Sequence, residues 1–271
     1  TTTSTAELRT SASAISRAFS RGLHLITEKP IADTLDNAKQ MIRLAAESGK
    51  QLVVAQNYRY RPFIKKLKEL VADEVYGALG HGHIDFYIPI DFGGGFRDVM
   101  KYPLLFDMSI HHFDLIRYVT GRNVTRVMAH TFNPSWSWIN HHAGLKMLLE
   151  LEGDLPFSYS GDWSAYGRST SWNGTWRLQC AEASLHLEDD LITVSRCERW
   201  NKNPTTEAIE PDALPLADQA ALLRQFAEAI RTGRPAETSG ADNLYSFTPV
   251  VAGMISTEEG RIVEVAELLD D

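Results

Sequence analysis

Three ionisable residues recur at helical spacing in the segment DMSIHHFDLIRYVT, which spans residues 107–120. If residues 107–119 form an α-helix, Asp107, His111 and Asp114 share one face of it. The other positions are nearly all apolar, so the helix is expected to be buried around most of its circumference. Because a buried charge without a partner loses its solvation, the stripe is expected to face a wet cavity or partner charges. An imidazole there could act as a general base at neutral pH.

The same spacing also has a purely structural interpretation. Asp107 would cap the helix, His111 would be a core histidine with its hydrogen bonds satisfied, and Asp114 would pair with Arg117 or Arg122. Spacing alone does not separate the two interpretations.

A second short motif, Glu28-Lys29-Pro30, directly follows an apolar segment at residues 23–27 that is predicted to be a strand. Ligands bind at the carboxyl ends of strands in open α/β sheets. Pro30 fixes its own φ and favours an extended Lys29, so the ammonium group is expected to be held in place. It could orient a hydroxyl group or a nicotinamide. Alternatively, the tripeptide is an ordinary turn between a strand and a helix.

The hydropathy pattern divides the chain near residue 75. Helix, strand, helix and strand are predicted at residues 10–21, 23–27, 35–48 and 52–55, a pattern typical of parallel strands with a right-handed crossover. After a helix at 61–72, most segments alternate like strands joined by short turns, which predicts an antiparallel sheet. These strands are expected at 82–90, 124–132, 145–151, 157–163, 175–180, 183–187 and 191–196, and two helices follow at 216–231 and within 241–260, before a short strand at 262–263.

Composition narrows the class of partner. The 271 residues carry a formal charge of -8, with a pI of about 5.6, which argues against nucleic acid or an anionic membrane and favours a small-molecule substrate. Cys180 and Cys197 show neither metal-ligand spacing nor the density of a disulfide scaffold, so a reducing cytoplasm is expected. No apolar run is long enough to span a bilayer, and residues 1–22 lack the apolar core of a signal peptide.

Histidines and aromatic residues form two further groups. Three histidine pairs raise the question of a metal site, but no Cys or carboxylate lies beside them at ligand spacing, so no metal is predicted. The aromatic group could stack on a sugar ring, with Tyr166 as a substrate contact, or it could lie in a subunit interface. The interface is favoured for Trp163, Trp172 and Trp176. The histidine pairs are His81 and His83, His111 and His112, and His141 and His142; the aromatic group is Trp136, Trp138, Trp163, Tyr166, Trp172 and Trp176.

Three segments together resemble the glucose-fructose oxidoreductase and inositol dehydrogenase family (Gfo/Idh/MocA). They are GLHLITEKPIADTLDNAKQMIRLAAESGKQLVVAQNYRYRP, LLFDMSIHHFDLIRYVTG and LLRQFAEAIRTGRPAETSGADNLYSFTPVVAGMISTEEGRIVEV. The resemblance implies an α/β protein in which residues 1–75 are the second half of a Rossmann-like nucleotide-binding domain with a partial parallel sheet. Residues 76–271 would then be an α+β domain, with a large, mostly antiparallel, open-faced sheet for substrate binding and oligomerisation.

The resemblance also implies roles for individual residues. Lys29, Asp107 and His111 would be catalytic and would bind the substrate: His111 removes a hydroxyl proton, Asp107 stabilises the imidazolium and Lys29 hydrogen-bonds the hydroxyl group. NAD or NADP would be bound by Glu28, Lys29, Pro30, Asn57 and Arg59.

The chain departs from the family pattern in its dinucleotide motif. No G-x-G-x-x-G occurs, and the glycines at 93–95 are not followed by a predicted helix that could receive a pyrophosphate. Ser109 stands where the family motif has glycine. About three βα units of the nucleotide domain are therefore expected to be missing from the chain as given. Upstream residues, in preference to a partner chain, are expected to cover the exposed sheet edge.

Three hypotheses follow. The first is an NAD(P)-dependent oxidoreductase acting on a secondary hydroxyl group of a sugar, polyol or related small molecule, assembled as a cytoplasmic homodimer or homotetramer through the open-faced sheet. The second is a non-catalytic sugar-binding or assembly relative that has lost the dinucleotide site. The third is a relative that uses bound NAD as a redox catalyst in glycoside cleavage or transfer.

Overall fold

A computed structural model describes residues 12–200 and 202–269. It opens with α1 (Ala12–Ser20), β1 (Leu25–Thr27), α2 (Leu35–Ser48) and β2 (Leu52–Val54). The two strands pair in parallel with Leu25 opposite Leu52, as the sequence predicts. The Thr34 hydroxyl accepts from the Asn37 amide at the start of α2, and Gly49 ends the helix with a φ of 64°. Of the helix predicted at 10–21, residues 10 and 11 lie outside the described part of the chain.

A nine-stranded sheet forms the larger part of the molecule. Its spatial order is β10-β9-β8-β7-β3-β6-β5-β4-β11. The strands are β3 (Leu79–Tyr87), β4 (Val124–Phe132), β5 (Gly144–Leu151), β6 (Leu155–Asp162), β7 (Thr175–Cys180), β8 (Ser184–Glu188), β9 (Leu191–Arg196), β10 (Thr205–Ile209) and β11 (Val263–Glu264). The predicted α/β class, a small parallel sheet followed by a large and mostly antiparallel one, is confirmed.

The structure corrects the strand prediction at two places. β3 and β6 are parallel, with Ile84 opposite Tyr159, whereas successive antiparallel strands were expected. The chain leaves the sheet after β3, builds a helical segment and returns through β4 and β5, so β6 reaches β3 in the same direction. β10 was not predicted, because its sequence, TTEAI, is exposed on four of its five residues and lacks an apolar alternation.

Five α-helices follow β2 in the described part of the chain. They are α3 (Pro62–Ala72), α4 (Ser109–Thr120), α5 (Asp218–Thr232), α6 (Gly240–Glu259) and the short α7 (Ala266–Leu269). α6 contacts α2, β2, α4 and β4. The Val54 amide donates to the Thr238 carbonyl at 2.8 Å just before α6 begins, so the C-terminal segment fixes the position of β2. The boundary near residue 75 stays a prediction, since one hydrophobic core contains residues from both sides of it.

The segment that carries the candidate chemistry is not one continuous α-helix, so the prediction for residues 107–119 is wrong at its beginning. Leu104–Met108 is a π-helix, and α4 begins at Ser109. This places Asp107 on a different turn from His111, and the Asp107, His111 and Asp114 side chains contact different elements. The Ser109 hydroxyl donates to the Leu105 carbonyl at 2.7 Å across the junction.

Asp114 lies in a buried ionic network that fixes α4 to its neighbours. Arg59, which is 5% exposed, donates through Nε and Nη2 to the two carboxylate oxygens of Asp114 at 2.7 Å each. Nη2 also donates to Asp242 on α6 at 2.6 Å, and Nη1 donates to the Glu237 carbonyl at 2.9 Å. Arg117 pairs with Asp242 at 3.0 Å. The partner of Asp114 is therefore Arg59, not the Arg117 or Arg122 expected in the structural interpretation.

His112 joins α4 to the large sheet through hydrogen bonds. Its Nδ1 lies 3.0 Å from the Tyr159 hydroxyl, and its Nε2 lies 3.2 Å from the Trp172 carbonyl. A carbonyl only accepts, so Nε2 carries the proton and Nδ1 accepts from Tyr159. Burial lowers the pKa of His112 to about 4, so the imidazole is neutral in the native protein at neutral pH.

Two of the tryptophans assigned to a subunit interface lie inside the chain instead. Trp163 and Trp176 are 1% and 0% exposed. Trp163 packs edge-to-face against Phe86, with ring centroids 5.0 Å apart, and Trp176 packs against Phe157. The interface prediction is therefore wrong for this pair, because their side of the sheet is covered by the protein's own core. Trp172 is partly exposed.

Replacing Asp114 with Asn should lower the free energy of unfolding by about 3–5 kcal/mol, because it leaves Arg59 buried with an incomplete set of partners. Urea denaturation measures the change. The matched control is Asp212→Asn, which removes an exposed ion pair with Lys66 and should cost less than about 1 kcal/mol. Similar losses in the two variants would contradict the role given to the buried network.

Protonation of His112 should make the protein less stable in acid. The unfolded chain binds this proton below about pH 6.5 and the native protein only near pH 4, so stability is lost as the pH falls through that window. His112→Gln should remove about 3 kcal/mol of the decline between pH 7 and 4. Urea unfolding of both proteins across that range measures it, and parallel stability curves would show that His112 does not titrate as described.

Candidate functional site

A cavity of about 440 Å³ opens where β1 and β2 end. Glu28 and Lys29 reach it from the end of β1, and Ala55 and Asn57 reach it from the end of β2. His111 enters from α4. The remaining lining residues are Tyr58, Arg61, Asp218 and Gln219. The structure therefore brings together the lysine of one motif and the imidazole of the other, which lie 82 positions apart in the sequence.

Asp107 is shared by two cations at the side of this cavity. Lys29 Nζ donates to Asp107 Oδ1 at 3.0 Å and also to the Asp107 carbonyl. Arg97 donates to the same carboxylate through Nε at 2.6 Å and Nη2 at 3.1 Å. Burial alone would raise the pKa of Asp107, but Arg97 and Lys29 outweigh it and lower the pKa. Asp107 is therefore a carboxylate at neutral pH, and it fixes the ammonium group of Lys29.

His111 is 6% exposed and stacks on Tyr58, with ring centroids 4.3 Å apart and planes inclined by 10°. Its Nδ1 is buried without a hydrogen-bond partner among the described residues, which leaves Nε2 to exchange a proton in the cavity. Burial, followed by the charge of Lys29, holds the pKa of His111 well below its usual range. Since both effects disfavour imidazolium, His111 is a neutral proton acceptor at neutral pH.

No hydrogen bond joins Asp107 to His111 among the described residues. Among these residues the structure therefore shows no direct contact through which Asp107 could stabilise the imidazolium in the way that the sequence predicted. The carboxylate acts on Lys29, because the π-helix turns Asp107 away from the imidazole that a regular α-helix would place above it.

A second group of charged and amide side chains forms another wall of the cavity. Arg61 donates through Nε to Asp218 Oδ1 at 2.9 Å, and its Nη1 donates to the side-chain oxygen of Asn173. Asn57 Nδ2 donates to the same Asp218 oxygen at 3.1 Å. This wall therefore offers carboxylate, amide and guanidinium groups, which are suited to hydrogen-bonding a polar ligand.

Other residues from the sequence analysis lie elsewhere. Arg59 does not line the cavity, because its guanidinium is committed to Asp114 and Asp242 beneath it. Tyr166 is 77% exposed and contacts Trp138 edge-to-face at 5.7 Å, away from the cavity lining. Pro30 follows Lys29 through a cis peptide bond, and its side chain is not part of the lining.

Several residues in and beside the cavity were not predicted, among them two from a quoted motif and two from distant segments. Tyr58 and Arg61 lie in the segment NYRYRP directly after β2, and the only local signal is that Arg61 precedes Pro62, which restricts Arg61 to an extended conformation. Arg97 and Asp218 had no local signal, since only the folding of distant segments brings them to the cavity.

Three further properties bear on ligands and surroundings. Within residues 12–200 and 202–269, no three His, Cys, Asp or Glu side chains are placed to hold a metal ion. His83 instead contacts Ser158 and Asp85, and His142 contacts Thr131. No helix in the same ranges is long and apolar enough to cross a membrane. Cys180 and Cys197 are free thiols.

Comparison with protein families identifies both halves of the chain. Residues 2–56 match the oxidoreductase family with an NAD-binding Rossmann fold (GFO_IDH_MocA), and residues 64–186 match the GFO/IDH/MocA C-terminal domain. Both families describe parts of the same group of oxidoreductases, and they occur here in the expected order.

Individual relatives agree with this assignment. D-apiose dehydrogenase from Paraburkholderia graminis is 27% identical over 268 residues, which cover 94% of this chain and 70% of the relative. Myo-inositol 2-dehydrogenase from Thermotoga maritima is 31% identical over 108 residues, covering 39% of this chain and 31% of the relative. An oxidoreductase from Agrobacterium radiobacter, solved with NAD+, L-tartaric acid and magnesium, has the same fold, with a TM-score of 0.83 and 20% identity over 97% of this chain and 79% of the other. The chain belongs to the Gfo/Idh/MocA family of oxidoreductases.

Proposed function

We propose that the protein is an NAD(P)-dependent oxidoreductase that oxidises a secondary hydroxyl group of a sugar, polyol or related small molecule. The observation that carries the proposal is the meeting of Lys29 and His111 in one cavity at the ends of two parallel strands. The names of D-apiose dehydrogenase and myo-inositol 2-dehydrogenase support a polyhydroxylated substrate.

The two side chains divide the work on the hydroxyl group. His111, held neutral, accepts the hydroxyl proton as the carbon is oxidised. Lys29 donates a hydrogen bond to the hydroxyl oxygen and stabilises the negative charge that develops there. Asp107 and Arg97 hold Lys29 for this task. We propose that Lys29 and His111 are the catalytic residues and that Asp107 acts by positioning Lys29.

The cavity fits the nicotinamide end of the cofactor. Glu28 and Asn57 present a carboxylate and an amide at the strand ends. A nicotinamide carboxamide both donates and accepts hydrogen bonds, so it is matched by these groups. The bound nicotinamide supplies the hydride acceptor. We propose Glu28, Lys29 and Asn57 as its contacts; no phosphate contact is assigned, since the printed sequence contains no G-x-G-x-x-G.

The second candidate is a non-catalytic relative that binds a sugar without a dinucleotide. Titration of the full chain with NAD+ and with NADP+, followed by tryptophan fluorescence, separates the two proposals. Saturable binding of either cofactor supports the oxidoreductase and also identifies the preferred form. Sugar binding without cofactor binding supports the non-catalytic relative.

Lys29→Ala should lower kcat by about 10²–10³-fold, because the developing oxyanion loses its principal donor. Reduced cofactor is followed by absorbance with a panel of aldoses and polyols, and circular dichroism checks that the fold is intact. Lys66→Ala is the matched control, since Lys66 pairs with exposed Asp212 outside the cavity. Full activity in Lys29→Ala would remove the basis of the assignment.

We also propose that two or four copies assemble through the open face of the large sheet, in a reducing cytoplasm. Leu148 is 64% exposed in the middle of β5, and Met128 on β4 and Ile262 beside β11 are 48% and 45% exposed. With Phe157 and other residues they line an apolar cavity of about 580 Å³ on this face. Contiguous exposed apolar surface of this kind is typical of protein interfaces.

Leu148→Glu should reduce the mass of the assembly in solution, because it places a carboxylate in the proposed interface. Size-exclusion chromatography with light scattering measures the mass. Leu223→Glu is the control, since Leu223 is 55% exposed on α5, away from the sheet. A monomeric native protein, or an unchanged mass in Leu148→Glu, would contradict the proposed interface.

A further inference from the structure

A stack of three side chains backs the imidazole of His111. Tyr58 lies flat against it, with centroids 4.3 Å apart. On the Tyr58 ring lies Arg61, whose guanidinium carbon is 3.4 Å from the ring centroid. The guanidinium is thus within about 8 Å of the imidazole, a range at which charges in a protein interior interact appreciably.

Hydrogen bonds hold the Arg61 guanidinium against the Tyr58 ring. Asp218 accepts from Arg61 Nε at 2.9 Å, and Asn173 accepts from Nη1. Asn57 donates to the same carboxylate, so the Asp218 side chain is itself fixed. Asp218 has a φ of 47°, an uncommon conformation for a residue other than glycine, and such conformations persist only where surrounding contacts impose them. The stack and the groups that hold it therefore come from the turn Asn57–Tyr60, the N-terminus of α3, α4, α5 and the loop before β7.

The local sequence explains how Tyr58 and Arg61 come to overlap. Asn57–Tyr60 is a 3₁₀ turn, and Arg61 follows it immediately before Pro62. A residue before proline is restricted to extended conformations, and Arg61 has φ and ψ of -79° and 137°. This restriction helps to fix the direction in which the Arg61 side chain leaves the turn, and the side chain covers the Tyr58 ring.

We propose that Tyr58 and Arg61 are positioning residues for His111: the ring fixes the plane of the imidazole, and the cation behind the ring disfavours a positive charge on it. The proposal rests on the proposed role of His111 as the base. The quadrupole of an aromatic ring attracts cations to its faces. Because Arg61 already lies on one face of Tyr58, the ring stabilises an imidazolium on the opposite face less.

The other charged groups around His111 act in the same direction or are neutralised. Lys29 faces it from the end of β1, and its charge lowers the pKa of His111, as do His112 on the same helix and Arg61. Asp107 and Asp218 are each bound to a cation. Glu28 is a third carboxylate of the cavity lining, and it is not among the groups that shift the pKa of His111. Burial raises the pKa of the Tyr58 phenol, so the ring carries no charge at neutral pH.

Nuclear magnetic resonance of the full chain, labelled at the histidine Cε1 carbons, tests the proposal without substrate or cofactor. The chain contains nine histidines, so the His111 signal is assigned by its loss in His111→Gln. In the native protein this signal should titrate well below the range of a free histidine, because burial and the nearby cations disfavour the imidazolium. In Arg61→Gln the midpoint should rise, because the variant removes a positive charge near the imidazole.

Two variants of Tyr58 distinguish the effect of the aromatic ring from the effect of the Arg61 charge. Tyr58→Phe keeps the stack and should leave the midpoint unchanged, whereas Tyr58→Leu admits water and should raise it toward the value of a free histidine. Arg126→Gln removes an exposed guanidinium from the large sheet and is the matched control. Tyr58→Leu also serves if Arg61→Gln fails to fold. A native midpoint near 6.5, or one unmoved in both Arg61→Gln and Tyr58→Leu, would overturn the proposal.

Failure of this inference is distinguishable from failure of the proposed function. If the titrations behave as expected but no sugar or polyol is oxidised, the positioning role stands and the proposed substrate class fails. If a substrate is oxidised and His111→Gln abolishes turnover, the acidic limb of kcat/KM should move upward in Arg61→Gln by the same amount as the titration midpoint. An unmoved limb overturns the inference alone.

Discussion

A helix that is buried on nearly all sides yet carries ionisable side chains requires a partner for each of them. The segment from Leu104 to Thr120 meets this requirement with partners from different parts of the chain. Asp107 forms ion pairs with Lys29 and Arg97. His111 stacks on the ring of Tyr58, and Asp114 forms an ion pair with Arg59. The cost of an unpaired buried charge is several kcal/mol or more, about half the stability of an ordinary domain. Pairing the helix therefore fixes the relative positions of the small sheet, the large sheet and α6, and with them the cavity.

The same constraint separates structural charges from functional ones. Arg59 and Asp114 satisfy each other in the interior, where no ligand can reach them. Lys29 and His111 satisfy only part of their bonding capacity within the protein and line the cavity. A polar group at the cavity that keeps a free hydrogen-bonding position can bind a substrate. A charged group in the interior whose hydrogen bonds are all made within the protein supports the structure. This distinction gives Arg59 a supporting position despite its place in a motif beside the cavity.

Much of the fold is encoded locally and could be predicted. The parallel unit from α1 to β2 follows from apolar periodicity, the Thr34 cap and Gly49. Seven of the strand predictions differ by at most one residue at either end from the structure, namely those for β2, β4, β5, β7, β8, β9 and β11. The parallel pairing of β3 with β6 could not be predicted, because strand partners depend on where the chain returns after a long excursion. The burial of Trp163 and Trp176 within the chain was missed for the same reason, since one strand does not reveal which of its faces the helices cover.

The candidate site was predicted in part. Lys29, Asp107 and His111 were chosen on sequence, and the structure brings them to one place, but the contact among them differs from expectation. The π-helix at Leu104–Met108 adds residues to one turn and redirects Asp107 from His111 toward Lys29. Helical periodicity does not predict such a turn, because it depends on how the segment packs.

The central claim is that Asp107 acts on the chemistry through Lys29. A double-mutant cycle on kcat/KM tests it most directly, with Asp107→Asn measured in the native background and in Lys29→Ala. The account predicts that Asp107→Asn lowers kcat/KM in the native protein and has little further effect once Lys29 is absent. An equal fold-loss in both backgrounds would contradict it, because Asp107 would then act independently of Lys29.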